Sequence, residues 1–165
     1  MCWMCDHPGS TYQDTLDHVR EVMLHNLWAV QYVERSGVRP AYAYTVGLTE
    51  HELPELVATG LPPPRAAALL DRGARHVLLD GPLPAPGDLL RLTEVPPLEV
   101  VRVDHPDAHL DIALALFGPE VRALQLGWAD DRGHWPWHPG FRANKGGQPV
   151  LGHRGPPRSS DSGPS

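Results

Sequence analysis

Helical and strand patterns intermingle along this chain without strict alternation. That predicts a single α+β domain, with a mixed, mostly antiparallel sheet of about 5–6 strands and about three helices. Three observations carry the expectation. Short period-two runs recur, the sharpest being Tyr42-Ala43-Tyr44-Thr45-Val46. Apolar residues fall at helical spacing in Tyr12, Leu16, Val19 and Met23, and again in Leu69, Leu70, Val77 and Leu78. The 19 prolines and 16 glycines are scattered as punctuation between these segments, as expected of many short elements joined by turns.

The elements follow in order. Ser10 to Asn26 reads as a helix, with Ser10 and Gln13 in capping-box spacing behind the breaker Pro8-Gly9, and with Val22 and Leu27 widening its stripe. Trp28 to Glu34 alternates as a strand, Trp28, Val30 and Tyr32 against Ala29, Gln31 and Val33. After the loop 35–40, Ala41 to Leu48 makes its hairpin partner. Tyr42, Tyr44, Val46 and Leu48 point one way, and the small residues Ala41, Ala43, Thr45 and Gly47 the other. Glu55 to Thr59 is a further strand closed by Gly60. Pro62-Pro63-Pro64 opens a helix running to about Leu79, because proline is tolerated in a first turn. Leu89 to Val95 and Leu98 to Asp104 read as strands around Pro96-Pro97. Asp104 is an N-cap for a third helix to Phe117, and Val121 to Trp128 is the last strand. The predicted domain covers 1–153, with 1–9 as a cysteine-bearing lead. The Gly, Pro, Ser and Arg composition of 154–165 predicts a disordered tail.

Composition narrows the function classes. The chain has 165 residues and a net charge of -6, with a single lysine, Lys145. Nucleic-acid binding needs clustered positive charge, so it is not expected. No apolar run reaches the ~18 residues of a membrane span. No charged segment followed by an apolar one opens the chain, so no signal peptide is expected and the expected compartment is the cytoplasm.

Both cysteines sit in Met1-Cys2-Trp3-Met4-Cys5-Asp6-His7. Cys2 and Cys5, with His7 behind them, could hold a soft metal, zinc being the candidate, or cycle as a dithiol near a helix N-terminus. A four-ligand site would need partners from elsewhere. His105 and His109 would share a face if helical, whereas His134 and His138 flank Trp135-Pro136-Trp137. The plain alternative is a pair of reduced thiols with no role. Glu50, His51, Glu52 and Glu55 could tune a general base, or form a solvated loop. The aromatics Trp28, Tyr32, Tyr42 and Tyr44 could line a planar pocket, or be core. The small-residue face carrying Thr45 and Gly47 suits a ligand or a packed helix. Trp128, Asp130, Asp131, His134, Trp135, Trp137 and His138 form the densest aromatic and polar patch, which either seals the sheet edge or recognises a partner. No phosphate-binding glycine loop and no Gly-x-Ser-x-Gly elbow occurs.

Several segments together resemble a bacterial family known as domain of unknown function 4262. They are Cys2-x-x-Cys5-Asp6, Ala43-Tyr44-Thr45-Val46-Gly47-Leu48, Pro54 to Leu61, Trp128-Ala129-Asp130 with Trp135-Pro136-Trp137, and Gln148-Pro149-Val150-Leu151-Gly152. The resemblance implies one bacterial domain, and that family carries no assigned reaction. The residues favour a non-catalytic module that binds a small molecule or a protein through Tyr44, Thr45, Gly47, His51 and the tryptophan patch. The alternative is a zinc- or thiol-dependent protein, enzymes included, centred on Cys2 and Cys5.

Overall fold

The structure is a computed structural model that describes residues 7–155. Three α-helices and seven strands form one α+β domain: α1 (Tyr12–Asn26), β1 (Ala29–Val33), β2 (Tyr42–Val46), β3 (Glu55–Thr59), α2 (Pro63–Arg75), β4 (Leu89–Leu90), β5 (Leu98–Val103), α3 (Asp111–Phe117), β6 (Ala123–Trp128) and β7 (Gly152–His153). The sheet order is β1-β2-β3-β6-β5-β4, with β7 beside the far end of β5. Among the described residues every pairing is antiparallel except β3–β6, where Glu55 to Val57 run parallel to Ala123 to Gln125.

The period-two reading of the strands sorts the core into two layers. Ala43, Leu56, Ala58, Val100, Leu124 and Leu126 face α2, which contributes Ala66, Leu69, Leu70 and Ala74. Tyr44, Val46, Val57, Val103 and Ala123 face α1 and α3 through Leu16, Val19, Met23, Ile112 and Ala113. The small face of β2 is thus filled by a packed helix. Gly73 lets α2 approach closely, since a Cβ there would lie 2.8 Å from a Leu126 methyl and 2.9 Å from one of Leu56. The Trp28 indole N–H donates to Asp71 at 2.9 Å and ties the hairpin to α2.

Four local expectations are corrected. The first capping box uses Thr11 and Asp14, not Ser10 and Gln13. The Thr11 hydroxyl accepts the Asp14 N–H and the Asp14 carboxylate accepts the Thr11 N–H, a stronger charge-assisted bond than a Gln13 amide would give. The strand at Leu89 stops after two residues, because Glu94 takes a left-handed turn (φ 64) and sends Leu92 and Val95 back against the core. The helix expected from Asp104 is broken. A 3-10 turn spans Pro106–Ala108, His109 leaves helical geometry (φ -128), and α3 begins only at Asp111. Two tyrosines of β2 fix this break: Tyr42 donates to the His109 carbonyl at 2.8 Å, and the Tyr44 oxygen accepts the Ile112 N–H at 3.1 Å. Leu48, finally, joins the α2 layer, because the chain leaves β2 at Gly47 and enters a 3-10 turn, Leu48–His51.

That turn is held by a buried carboxylate. Glu55 accepts from the Thr45 hydroxyl (2.9 Å), the backbone N–H groups of Gly47 (3.3 Å), Leu48 (3.1 Å) and Thr49 (2.8 Å), and the Thr49 hydroxyl (2.5 Å). Burial pushes the Glu55 carboxyl above its ordinary value, and these donors pull it part of the way back.

Polar side chains also pin the returning chain. Gln125 donates to the Thr59 hydroxyl at 3.0 Å and to the Pro149 carbonyl at 2.8 Å, and its carbonyl accepts the Leu151 N–H at 2.8 Å. Gln148 accepts from the Trp128 N–H and donates to the Trp128 carbonyl, at 2.9 and 2.8 Å. Gly60 sits flat against this strap, where a Cβ would come within 2.1 Å of the Gly147 carbonyl oxygen. Residues 148–151 therefore cover the Thr59–Gln125 stretch of the sheet, and β7 forms where they reach β5.

Glu55→Gln should destabilise the fold by about 2–4 kcal/mol, because its NH₂ would face backbone donors in the interior. Glu50→Gln, on the same turn but exposed, should fall within about 0.5 kcal/mol of wild type. Urea denaturation of the two variants measures the difference, and equal midpoints would refute the structural role of Glu55.

Candidate functional site

The strands β3 and β6 run parallel, so their carboxyl ends emerge on the same side of the sheet. From there β3 leads through Leu61 into α2, and β6 leads through Trp128 into the loop 129–147. Asp130 organises the loop. Its Oδ1 accepts the N–H groups of Arg132 (2.9 Å) and His134 (2.8 Å), and its Oδ2 accepts that of Arg142 (2.7 Å). Its side chain is only 8% exposed, with the His134 Nδ1 3.4 Å from Oδ2. Burial alone would raise the Asp130 carboxyl, but the three backbone donors, with His134 beside them, outweigh it and hold it at about 2. The anchored Arg142 opens a left-handed turn of three non-glycine residues, Arg142, Ala143 and Asn144, at φ 48, 55 and 67. Each such residue costs roughly 1–2 kcal/mol. The bonds from the Arg142 N–H to Asp130 and from the Gly140 N–H to the Asn144 side chain (3.1 Å) hold the turn in place.

The tryptophans pack in a fixed order. Trp135 and Trp137 stack with centroids 5.6 Å apart and planes within 2°. The Arg154 guanidinium lies 3.9 Å from the centroid of Trp137 and pairs with both Glu99 oxygens, at 2.6 and 3.1 Å. The Trp137 ring packs over Gly127 of β6, where a Cβ would meet it at an ordinary contact distance of 3.5 Å and the Glu99 carbonyl oxygen at 3.3 Å. The Trp137 indole N–H is buried with no acceptor among the described residues, a cost that the stacking must offset. Trp128 is set by its own indole N–H, which donates to the Thr59 carbonyl at 2.9 Å, and by Phe141, 5.5 Å away. His138 accepts the Trp135 backbone N–H at 3.3 Å and meets Trp137 edge-on.

Between this loop, the start of α2 and the Pro96-Pro97 bend lies a cleft of about 680 Å³. Leu61, Leu69, Val95, Leu98 and the two prolines give it an apolar lining, Trp128 and Trp135 an aromatic one, and Arg65, Glu94, Asp130 and Asp131 the charge. Glu94 is paired with Arg72. Arg65 and Asp131 make no hydrogen bond or ion pair with any described residue.

The sequence-predicted residues divide accordingly. Trp128, Asp130, His134, Trp135, Trp137 and His138 come together on one surface. Tyr44, Thr45 and Gly47 are interior: Tyr44 packs in the α1 and α3 layer and caps α3, and Thr45 and Gly47 bond Glu55. His51 is exposed on the turn at the opposite end of the sheet, and Glu55 is committed to the backbone donors of that turn. His105 and His109 flank a 3-10 turn rather than sharing a helix face, which removes the geometry expected of a chelating pair. Burial and the nearby Arg39 push the His109 imidazole below its usual range, and its ring packs against Tyr42. Cys2 and Cys5 lie outside the described residues, and His7 is exposed at their boundary. Among the described residues no group of three or more His, Cys, Asp or Glu could hold a metal ion. No described helix is long and apolar enough to cross a membrane. The walls from Arg65, Ala68 and the 94–97 bend were not foreseen, since only tertiary packing brings them to the tryptophans.

A family model described as Domain of unknown function (DUF4262) matches residues 23–142. That span includes every residue lining the cleft, from Leu61 to Trp135, and excludes Cys2, Cys5 and the strap at Gln148. No curated protein and no solved structure matches the chain.

The Asp130 anchor has a defined pH dependence. Its folded value lies below the ordinary 3.8. Its stabilisation is therefore fully present above pH ~4 and is lost as pH falls toward 2. The near-ultraviolet circular dichroism of the stacked tryptophans should hold to about pH 4 and decay below it. Asp130→Asn should show a weakened signal already at neutral pH. A variant spectrum matching wild type would show that Asp130 does not hold the stack.

Proposed function

The chain belongs to the DUF4262 family, and from that premise we propose that it is a binding module for a small organic ligand held in the tryptophan cleft. The observation that carries the reading is the cleft itself: about 680 Å³, apolar in its lining and aromatic on one wall, with a few charges converging on it. Small-molecule sites have this size and composition, roughly 300–1,000 Å³ with sparse polar groups. The position agrees. In open, mostly parallel α/β sheets ligands sit beyond the carboxyl ends of the strands; the parallel pair here, β3 and β6, ends at Thr59 and Trp128, and Trp128 and Leu61, two residues past β3, are both in the lining.

The wall is also pre-organised. Trp135 is backed by Trp137, Trp137 by Arg154 and Gly127, and Arg154 by Glu99. A wall already ordered in the free protein has little freedom left to lose on binding. Among the described residues the titratable groups of the cleft are Arg65, Glu94, Asp130 and Asp131. Asp130 is committed to backbone donors and Glu94 to Arg72. Binding without chemistry is the reading these groups support.

Ligand-observed NMR with a library of neutral aromatic fragments tests this directly, with tryptophan fluorescence as the second readout. Hits should compete with one another for one site. Ala68→Trp, on the exposed side of α2 in the cleft wall, should abolish their binding while leaving the urea midpoint within about 0.5 kcal/mol. Trp135→Ala should weaken them about tenfold or more. Undiminished binding to Ala68→Trp would place the site elsewhere and end this reading.

A further inference from the structure

The cleft carries one charge of each sign without a protein partner. Arg65 stands on the α2 wall and Asp131 on the loop wall, both exposed. They are not an ion pair, since no nitrogen of one lies within 4.0 Å of an oxygen of the other. The other two charges of the cleft are already satisfied. Glu94 is paired with Arg72, and Asp130 is held by backbone N–H groups. What remains open to a ligand is one guanidinium, one carboxylate and the apolar and indole surface with them.

We propose that the ligand is a zwitterion with an apolar body: an apolar amino acid or short peptide whose carboxylate meets Arg65 and whose ammonium meets Asp131 beside Trp135. This rests on the cleft being a ligand site. A guanidinium presents a planar fork that matches a carboxylate bidentately, which a simple anion site on lysine would not offer. An ammonium gains from a carboxylate and from an indole face together. The body of the ligand lies along Trp128, Val95, Pro96 and Leu69, all in the lining. A purely cationic ligand would leave Arg65 facing it as a like charge, and a purely anionic one would leave Asp131 so. Each mismatch is unfavourable; among charged ligands only the zwitterion avoids both, and a neutral ligand leaves Arg65 and Asp131 without partners.

The test is a fluorescence titration of the full chain with probes that share a phenyl body. L-phenylalanine and L-phenylalanyl-L-phenylalanine carry both charges. Phenethylamine carries only the ammonium, 3-phenylpropionate only the carboxylate, and 3-phenylpropanol neither. At least one zwitterion should bind roughly tenfold more tightly than either singly charged probe. Arg65→Gln should erase its advantage over phenethylamine, and Asp131→Asn its advantage over 3-phenylpropionate. Both residues are exposed, so the variants should fold, and unchanged urea midpoints would verify this. If 3-phenylpropanol or a singly charged probe binds as well as both zwitterions, the zwitterion inference fails while the cleft stands. If no probe binds, and the neutral fragments also fail, both readings fall.

Discussion

Everything in this fold depends on a strand that comes late in the chain and lies in the middle of the sheet. β6 lies between β3 and β5, so neither sheet half is complete until the chain has made α2, the β4–β5 hairpin and α3. Its two faces serve different layers. Leu124 and Leu126 seal the α2 side, while Ala123 joins the α1 and α3 side. The remaining positions have separate roles. Gln125 receives the strap, Gly127 lies under the Trp137 ring, and Trp128 turns out into the cleft. A parallel pair cannot be joined by a tight turn, so the long connection from β3 to β6 is required by the pairing itself. That connection supplies α2 and Pro96-Pro97, two of the cleft's walls.

Buried polar groups divide the labour with the hydrophobic layers. Apolar burial drives collapse but is non-directional. The interior Glu55, Thr59, Gln125 and Gln148 add direction. Each is hydrogen-bonded to backbone groups that would otherwise be buried without partners. Satisfied networks of this kind specify one arrangement, because any shift strands several groups at once. Glu55 closes the amino end of β3 around the 3-10 turn. The Gln125 and Gln148 bonds close the other face near the carboxyl ends. The sheet is therefore sealed at one end and shaped at the other, where the cleft lies.

Much of this was legible in the sequence, for physical reasons that differ by element. The end of β3 follows from the Gly60 that closes it, and the two faces of β1 and of β2 as far as Val46 follow from period-two alternation. The tryptophan patch was legible because five tryptophans are few and three of them fall within ten residues. The break before α3 was not legible, because Tyr42 and Tyr44 impose it from 67 and 68 residues away. Local propensity carries no trace of such a contact. The same holds for Glu55. By sequence it belongs to an acidic run with Glu50, His51 and Glu52, and only the folded turn shows that it answers backbone donors. β7 is two residues long and has no periodicity to read; it exists because Gln125 and Asp104 hold the strap against β5.

The loop 129–147 shows how rigidity is assembled at the open end. Its residues lie outside helix and sheet apart from a short distorted 3-10 turn, and it holds three left-handed non-glycine residues that an unconstrained chain would abandon. A single carboxylate at Asp130 spans the loop, binding its near end at Arg132 and His134 and its far end at Arg142. Because that carboxylate is ionised at any ordinary pH, its bonds are charge-assisted and stronger than a neutral side chain would supply. The strain in the turn and the unpartnered indole of Trp137 are therefore tolerable. They accompany a tryptophan wall that contacts within the chain hold in one arrangement, Trp135 on Trp137, Trp137 under Arg154 and Arg154 on Glu99.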